Sequence, residues 1–255
     1  MFPVLFSIKG FTLHTYGVLV ALGVLIGTWL FVKEGKDLGL DEKRLSDLVF
    51  WAVLSGVISS RAFFVLMHLE EYRGDPLKAL KIWEGGLVLY GGLLPALILA
   101  SALMKRWGVP VRKTLDTASF PLAIGFALGR FGCLSAGCCY GKPTTLPWGI
   151  VFQDERSLAP LGVRLHPTQL YEALFFVLLA LFLKTKGKRI RTPGEKFFTL
   201  SLSYGGFRFF NEFLRGDPRA VFWGLSHNQW VMVGLFVFSL IMLIYYSREE
   251  DPYIP

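Results

Sequence analysis

Three arginines interrupt stretches that are otherwise apolar enough to cross a membrane: Arg61, Arg130 and Arg208. A guanidinium stays charged in any protein environment, and burying one at mid-bilayer costs about 3 kcal/mol on insertion scales. Such a residue therefore faces a partner or a ligand rather than lipid. Arg208 belongs to a string, Tyr204, Arg208, Glu212 and Arg215, spaced four, four and three apart. An α-helix stacks residues at those intervals on one face, so the spacing predicts a helical stripe of net positive charge. The chemistry of such a stripe is anion binding, and a planar two-pronged guanidinium suits phosphate well.

A second group runs Gly129-Arg130-Phe131-Gly132-Cys133 and continues to Gly137-Cys138-Cys139-Tyr140-Gly141. Glycines at this density let backbones approach closely and leave amides accessible to a ligand. Each arginine also has a plainer reading. Arg130 snorkels outward from a tightly packed helix, Arg208 pairs with Glu212, and Arg61 pairs with Glu84 or Glu172. Tyr90, beside Gly91 and Gly92, reads either as a functional phenol or as an aromatic residue at the membrane edge. His166, just before Pro167, reads as structural at a helix start. Cys133, Cys138 and Cys139 lack a fourth ligand and a nearby histidine, so they make a poor tetrahedral zinc set, and no metal is expected. A Cys133–Cys138 bridge is open to them in an oxidising compartment, and small packed free thiols are the expected state.

The elements that position these residues follow from composition. The chain of 255 residues is 53% hydrophobic, and its apolar runs approach the roughly 20 residues needed to cross about 30 Å of hydrocarbon. Seven such runs cover 11–32, 45–67, 85–104, 115–134, 168–183, 197–214 and 229–246. The expected fold is all-α, a polytopic helical membrane protein forming one domain over 1–255, with residues 137–167 as a small external cap between spans four and five. The first run has the length and the following positive charge of a span, not of a cleavable signal.

Lys33, Lys36, Lys43 and Arg44 follow span one. Lys105, Arg106, Arg112 and Lys113 follow span three, and six basic residues from Lys184 to Lys196 follow span five. Basic loops face the cytoplasm, which puts the N-terminus outside. Topology and anionic lipid thus account for the net charge of +8 without nucleic acid. In this orientation Tyr16, Tyr90, Arg61, Arg130, Glu172 and the Arg208–Arg215 string all fall in the outer half. Asp116 alone sits at an inner end, where water is expected to reach it. A conduction path would spread its polar groups through the whole depth.

Taken together, these residues resemble the prolipoprotein diacylglyceryl transferase family of bacterial inner membranes. The likeness rests on five segments in order: His14-Thr15-Tyr16-Gly17; Gly85-Gly86 with Tyr90-Gly91-Gly92; Gly129-Arg130-Phe131-Gly132 through Gly141; His166-Pro167-Thr168-Gln169-Leu170-Tyr171-Glu172; and Tyr204, Arg208, Glu212, Arg215. Two places depart from the common pattern. Cys133 and Cys138 stand where many members have Asn and Glu, and Tyr90 stands where some have His.

The resemblance implies transfer of diacylglyceryl from phosphatidylglycerol to the lipobox cysteine in the signal-peptide region of a prolipoprotein, releasing glycerol phosphate without a cofactor. It implies Arg208, Arg130 and Tyr90 as catalytic residues. Tyr16, Gly141, Tyr204, Glu212 and Arg215 would join the two arginines in holding phosphatidylglycerol. The thiol's proton acceptor stays open, because a phenol with a pKa near 10 is a poor base at neutral pH. Two readings from other classes compete: a carrier for an anionic lipid or solute, and a thiol-redox membrane protein built on the cysteines. A lipid phosphatase would need a nucleophile or metal set that the sequence does not offer.

Overall fold

All seven apolar runs fold as helices, in the order their hydropathy predicts. The computed structural model describes residues 2–8, 11–81, 85–186 and 192–248. Its long helices are α1 (Thr15–Asp37), α2 (Glu42–Met67), α4 (Leu89–Trp107), α5 (Val111–Ala136), α6 (Thr168–Lys186), α7 (Glu195–Glu212) and α8 (His227–Arg248). Between α2 and α4 lie the single-turn α3 (Leu69–Tyr72) and a 3-10 turn, Pro76–Leu80. Strands are short: β1 (Val4–Ile8) with β2 (Phe11–His14), β3 (Ile150–Val151) with β4 (Arg164–Leu165), and β5 (Val221–Phe222) with β6 (Leu225–Ser226), each pair antiparallel. The first run therefore begins later as a helix than expected. Residues 11–14 alternate apolar and polar, a period of two, and pair as a strand before the helix starts at Thr15.

Five helices, α1, α2, α5, α6 and α8, are long and apolar enough to cross a membrane by length and composition. Large apolar side chains such as Leu25, Trp29, Phe50, Ile98, Phe236 and Ile241 are exposed on these helices and on α4. This is the surface of a polytopic helical membrane protein, in which lipid takes the place of a packed neighbour. α7 owes its lower hydropathy to Arg208, Asn211 and Glu212, all of them buried.

The chain divides into two compact units, one of Met1–Phe31 with Leu115–Pro255, the other Val32–Thr114. In the second, small residues seat α2 against α4. A side chain on Gly92 would lie 2.5 Å from the Gly56 carbonyl, and one on Gly56 meets Ala96 at 3.6 Å. Close backbone approach of this kind replaces the hydrophobic drive that helices lack in lipid. Asp41 caps α2 by accepting from the Lys43 and Arg44 amides at 2.9 and 3.2 Å.

Arg61 belongs to this unit, and Glu84, one of the carboxylates foreseen for it, lies outside the described residues. Arg61 donates to four carbonyls, Lys78 and Ala79 at 2.8 Å, Gly85 at 2.7 Å and Gly86 at 3.3 Å. It is a buried staple that satisfies the orphan backbone of the segment between the helices.

In the first unit Ala123 and Ala127 of α5, Phe176, Leu179, Ala180 and Leu183 of α6 and Leu200 of α7 form the core, with Tyr204 packed against it. α8 closes on α7 where Gly205 leaves room for the Met232 carbonyl, 3.2 Å from any added side chain. Asp116, half-buried at its inner end, also has a structural task. Its carboxylate accepts from the Gly194 and Phe197 amides at 2.7 and 3.0 Å and so caps α7 from a neighbouring helix.

Candidate active site

α5 carries Arg130 and Cys133 in its last two turns and must then stop, because Gly137 takes φ +73°. A side chain at Gly137 would collide with Ser157 Oγ, only 2.0 Å away. Two residues on, Cys139 adopts φ +61°, a conformation costly for a residue with a Cβ. The first turn of α6 holds it there: Thr168 Oγ1 donates to the Cys139 carbonyl and Gln169 Nε2 to the Cys138 carbonyl, both at 2.7 Å. Next, Gly141 threads between two other segments. Its amide donates to the His166 carbonyl at 3.1 Å, and the Lys142 amide donates to the Leu214 carbonyl at 2.7 Å. A Cβ on Gly141 would sit 2.5 Å from the His166 carbonyl and 3.0 Å from that of Leu214, so no other residue fits. The segment that ends at Gly141, the start of α6 and the end of α7 are thereby tied into one wall.

Behind that wall runs a chain of buried charges. Arg130 Nε meets Glu172 Oε2, and Glu172 Oε1 lies 2.9 Å from Arg208 Nε. Arg208 Nη1 continues to Glu212 Oε2 at 2.7 Å, and Glu212 Oε1 reaches Arg219 at 3.6 Å. Arg219 and Arg215 both hold Asp217, the second through paired contacts of 2.8 Å. Ser226 Oγ and Asn228 Nδ2 add donors to Glu212 at 3.0 and 3.3 Å. Four arginines meet three carboxylates, so the chain of contacts keeps one uncompensated positive charge. Glu172 is 1% exposed and Arg208 6%. Arg208 Nη1 and both Glu172 oxygens are buried at ion-pair distance without an aligned hydrogen bond. Burial pushes the Asp217 carboxyl up, but the Arg215 and Arg219 guanidiniums outweigh this and hold it below its ordinary value.

The helical stripe extends less far than its spacing predicts. Tyr204, Arg208 and Glu212 share a face of α7, but the helix ends at Glu212, and Arg215 pairs with Gly141 in an isolated β-bridge. Tightened bonds from the Leu214 and Arg215 amides back to Asn211 and Glu212 mark the stop. Tyr204 packs its ring 5.0 Å from Phe176 and neighbours Arg130. Tyr16, at the start of α1, lies against Gly132 and near the cysteines. Trp148 donates to the Tyr171 hydroxyl at 2.9 Å, and Tyr171 lies 3.3 Å from His166 Nδ1, so His166 steadies the 137–167 segment.

Tyr90 opens α4 in the other unit, and its side chain is outside the described ones. Glu172, which touches two arginines, was not singled out as a site residue from sequence. Its signal was the one applied to the arginines: a lone charge in an apolar helix, here the sole acidic residue of α6.

A family model described as prolipoprotein diacylglyceryl transferase matches residues 3–245. The chain is 34% identical over 245 residues to the phosphatidylglycerol–prolipoprotein diacylglyceryl transferase of Clostridium tetani (strain Massachusetts / E88), covering 94% of this chain and 98% of that protein. A second such transferase, from Clostridium perfringens (strain 13 / Type A), is 34% identical with 94% and 93% covered. One from Bacillus cereus (strain G9842) is 35% identical with 92% and 88% covered.

Proposed function

The chain belongs to the prolipoprotein diacylglyceryl transferase family, and on that premise we propose how its residues carry out the transfer. It moves diacylglyceryl from phosphatidylglycerol to the lipobox cysteine of a prolipoprotein, in the bacterial inner membrane. The thiol sulfur attacks the glycerol carbon that bears the phosphate. A carbon–sulfur bond forms, the carbon–oxygen bond breaks, its electron pair leaves with glycerol phosphate, and the thiol proton passes to a base.

One observation carries this reading: Arg130 and Arg208 are fixed on either side of the buried Glu172. As the carbon–oxygen bond breaks, charge builds on the leaving phosphate. Guanidiniums already held in place stabilise that charge without reorganising, so they favour the transition state over the bound lipid. Glu212, Tyr204 and Arg215 keep the pair oriented, and the Gly141 backbone and Tyr16 line the headgroup. Tyr90 is assigned to the thiol's side on its motif alone, as a hydrogen-bonding phenol rather than a base. A free thiol with a pKa near 8.5 is only a few per cent ionised at neutral pH, so the positive field of the arginines also raises its thiolate fraction.

The chain crosses the membrane seven times as one domain, N-terminus outside, with 137–167 as the outer cap and the site open to the outer leaflet. The basic loops after spans one, three and five support this orientation. The test is direct. Purified protein, phosphatidylglycerol and a lipobox peptide should yield a peptide heavier by one diacylglyceryl group, and its Cys→Ser version should stay unmodified. Binding of the lipid with no change in peptide mass would favour a carrier.

A further inference from the structure

Sequence spacing argued against a metal at the three cysteines because no fourth ligand stood nearby. Folding changes that assessment. Cys133 from the end of α5 and the adjacent Cys138 and Cys139 bring all three Sγ atoms within 4.8 Å of one another. Adjacent residues in extended chain point to opposite sides. Here the left-handed turn at Cys139 breaks that alternation. The strained turn is fixed by the two 2.7 Å bonds from Thr168 and Gln169, both 1% exposed. All three cysteines are free, with Cys133 buried and the other two half-buried.

We propose that Cys133, Cys138 and Cys139 form a three-sulfur site for one soft thiophilic ion of the zinc, cadmium or copper(I) class. Metal–sulfur bonds of about 2.3 Å put trigonal sulfurs about 4 Å apart, so the cluster closes on an ion with movements under about 1 Å. Thiolates select such ions over hard ones. Binding a divalent ion releases three thiol protons and leaves a complex of charge −1. That charge suits the surroundings: Arg130 Nη1 lies 3.9 Å from both Cys133 Sγ and Cys139 Sγ, and Arg215 neighbours Cys139. A protonated cluster leaves Arg130 to the lipid phosphate, whereas an anionic metal–thiolate competes for it. Occupation of the site therefore inhibits transfer.

Cadmium is the probe. Detergent-purified protein, reduced and then freed of reductant without air, is titrated with Cd²⁺ while the ultraviolet sulfur-to-cadmium band is followed, and bound metal is counted by equilibrium dialysis. The expected result is one ion per chain, not displaced by Mg²⁺, with the band absent when all three cysteines are Ser. Cys138→Ser alone should weaken binding at least tenfold, and it decides the matter if the triple variant does not fold. No band in the wild type, or a band and affinity unchanged by Cys138→Ser, overturns the site. Because the readout is metal binding, it holds or fails independently of the transferase reaction. Added Cd²⁺ should also depress transfer in the wild type, and equal depression in the triple variant would overturn the competition for Arg130.

Discussion

Replacing Arg208 by Lys keeps the charge and removes the geometry. In the native site Nε faces Glu172 at 2.9 Å and Nη1 faces Glu212 at 2.7 Å, so two edges of one planar group hold two helices in register. A lysine ammonium is a single point. Its three donors radiate from one atom, so it cannot span both carboxylates and also present two parallel N–H groups to a phosphate. Losing one charge-assisted donor that acts mainly in the transition state costs about 3 kcal/mol, roughly a hundredfold in turnover. Arg208→Ala is harsher, because it leaves Glu172 only Arg130 and Glu212 only the longer contact to Arg219 with Ser226 and Asn228, and breaking a buried pair costs about 3–5 kcal/mol of stability. The assay is peptide mass gain against time with phosphatidylglycerol, alongside the melting temperature of each variant. The Lys variant should fold and lose turnover, and the Ala variant should lose both. A purely structural Arg208 behaves differently: Arg208→Met with Glu212→Gln would then be stable and fully active. That outcome, or wild-type turnover in Arg208→Lys, refutes the phosphate role.

Glu172→Gln should lower turnover at least tenfold with little change in lipid affinity, since it loosens both arginines without touching the headgroup; unchanged turnover removes Glu172 from the site. Gly141→Ala should lower the melting temperature by several degrees, because its Cβ meets backbone at 2.5 Å; a neutral effect would mean the three joined segments yield easily. Asp217 has a lowered folded-state pKa, so its contribution is present above about pH 4, the ordinary value, and is lost as pH falls through the lower folded value. The melting temperature should therefore drop in that acid range and drop less in Asp217→Asn. In a background with all three native cysteines changed to Ser, which should keep most transferase activity, single cysteines at Lys36 and Lys105 should resist an impermeant reagent in spheroplasts. A cysteine at Thr145 should react, and the reverse pattern would invert the topology.

Hydropathy made the helices legible, and positions within a few residues of each run proved helical because burial in lipid depends on composition more than on partners. The first strand pair was missed because a period of two over residues 11–14 was absorbed into a longer apolar count. Arg130 and Arg208 were legible for a general reason: an uncompensated guanidinium in hydrocarbon is too costly to be accidental. What compensates it was not legible. Glu172 lies 42 residues from Arg130 and 36 from Arg208 along the sequence, and no periodicity connects three different helices. The same limit applies to Arg61, whose described hydrogen-bond partners are main-chain carbonyls that every residue possesses, and to Asp116, which caps a helix 78 residues away.

The carboxylates behind the arginines also bear on how the site works. Two guanidiniums held close together repel one another and, given room, turn apart. Glu172 between them removes that repulsion and fixes both, at the cost of reducing the positive charge offered to the ligand. Glu212 and Asp217 repeat the arrangement with Arg208, Arg219 and Arg215. The network retains a single positive charge, whereas a phosphodiester carries one negative charge and the departing glycerol phosphate carries more. A site matched to the ground state would gain nothing as the bond breaks. If Arg130 and Arg208 act on the phosphate as proposed, the additional charge on the leaving oxygen would meet donors already fixed by Glu172, and the stabilisation would rise along the reaction rather than at binding.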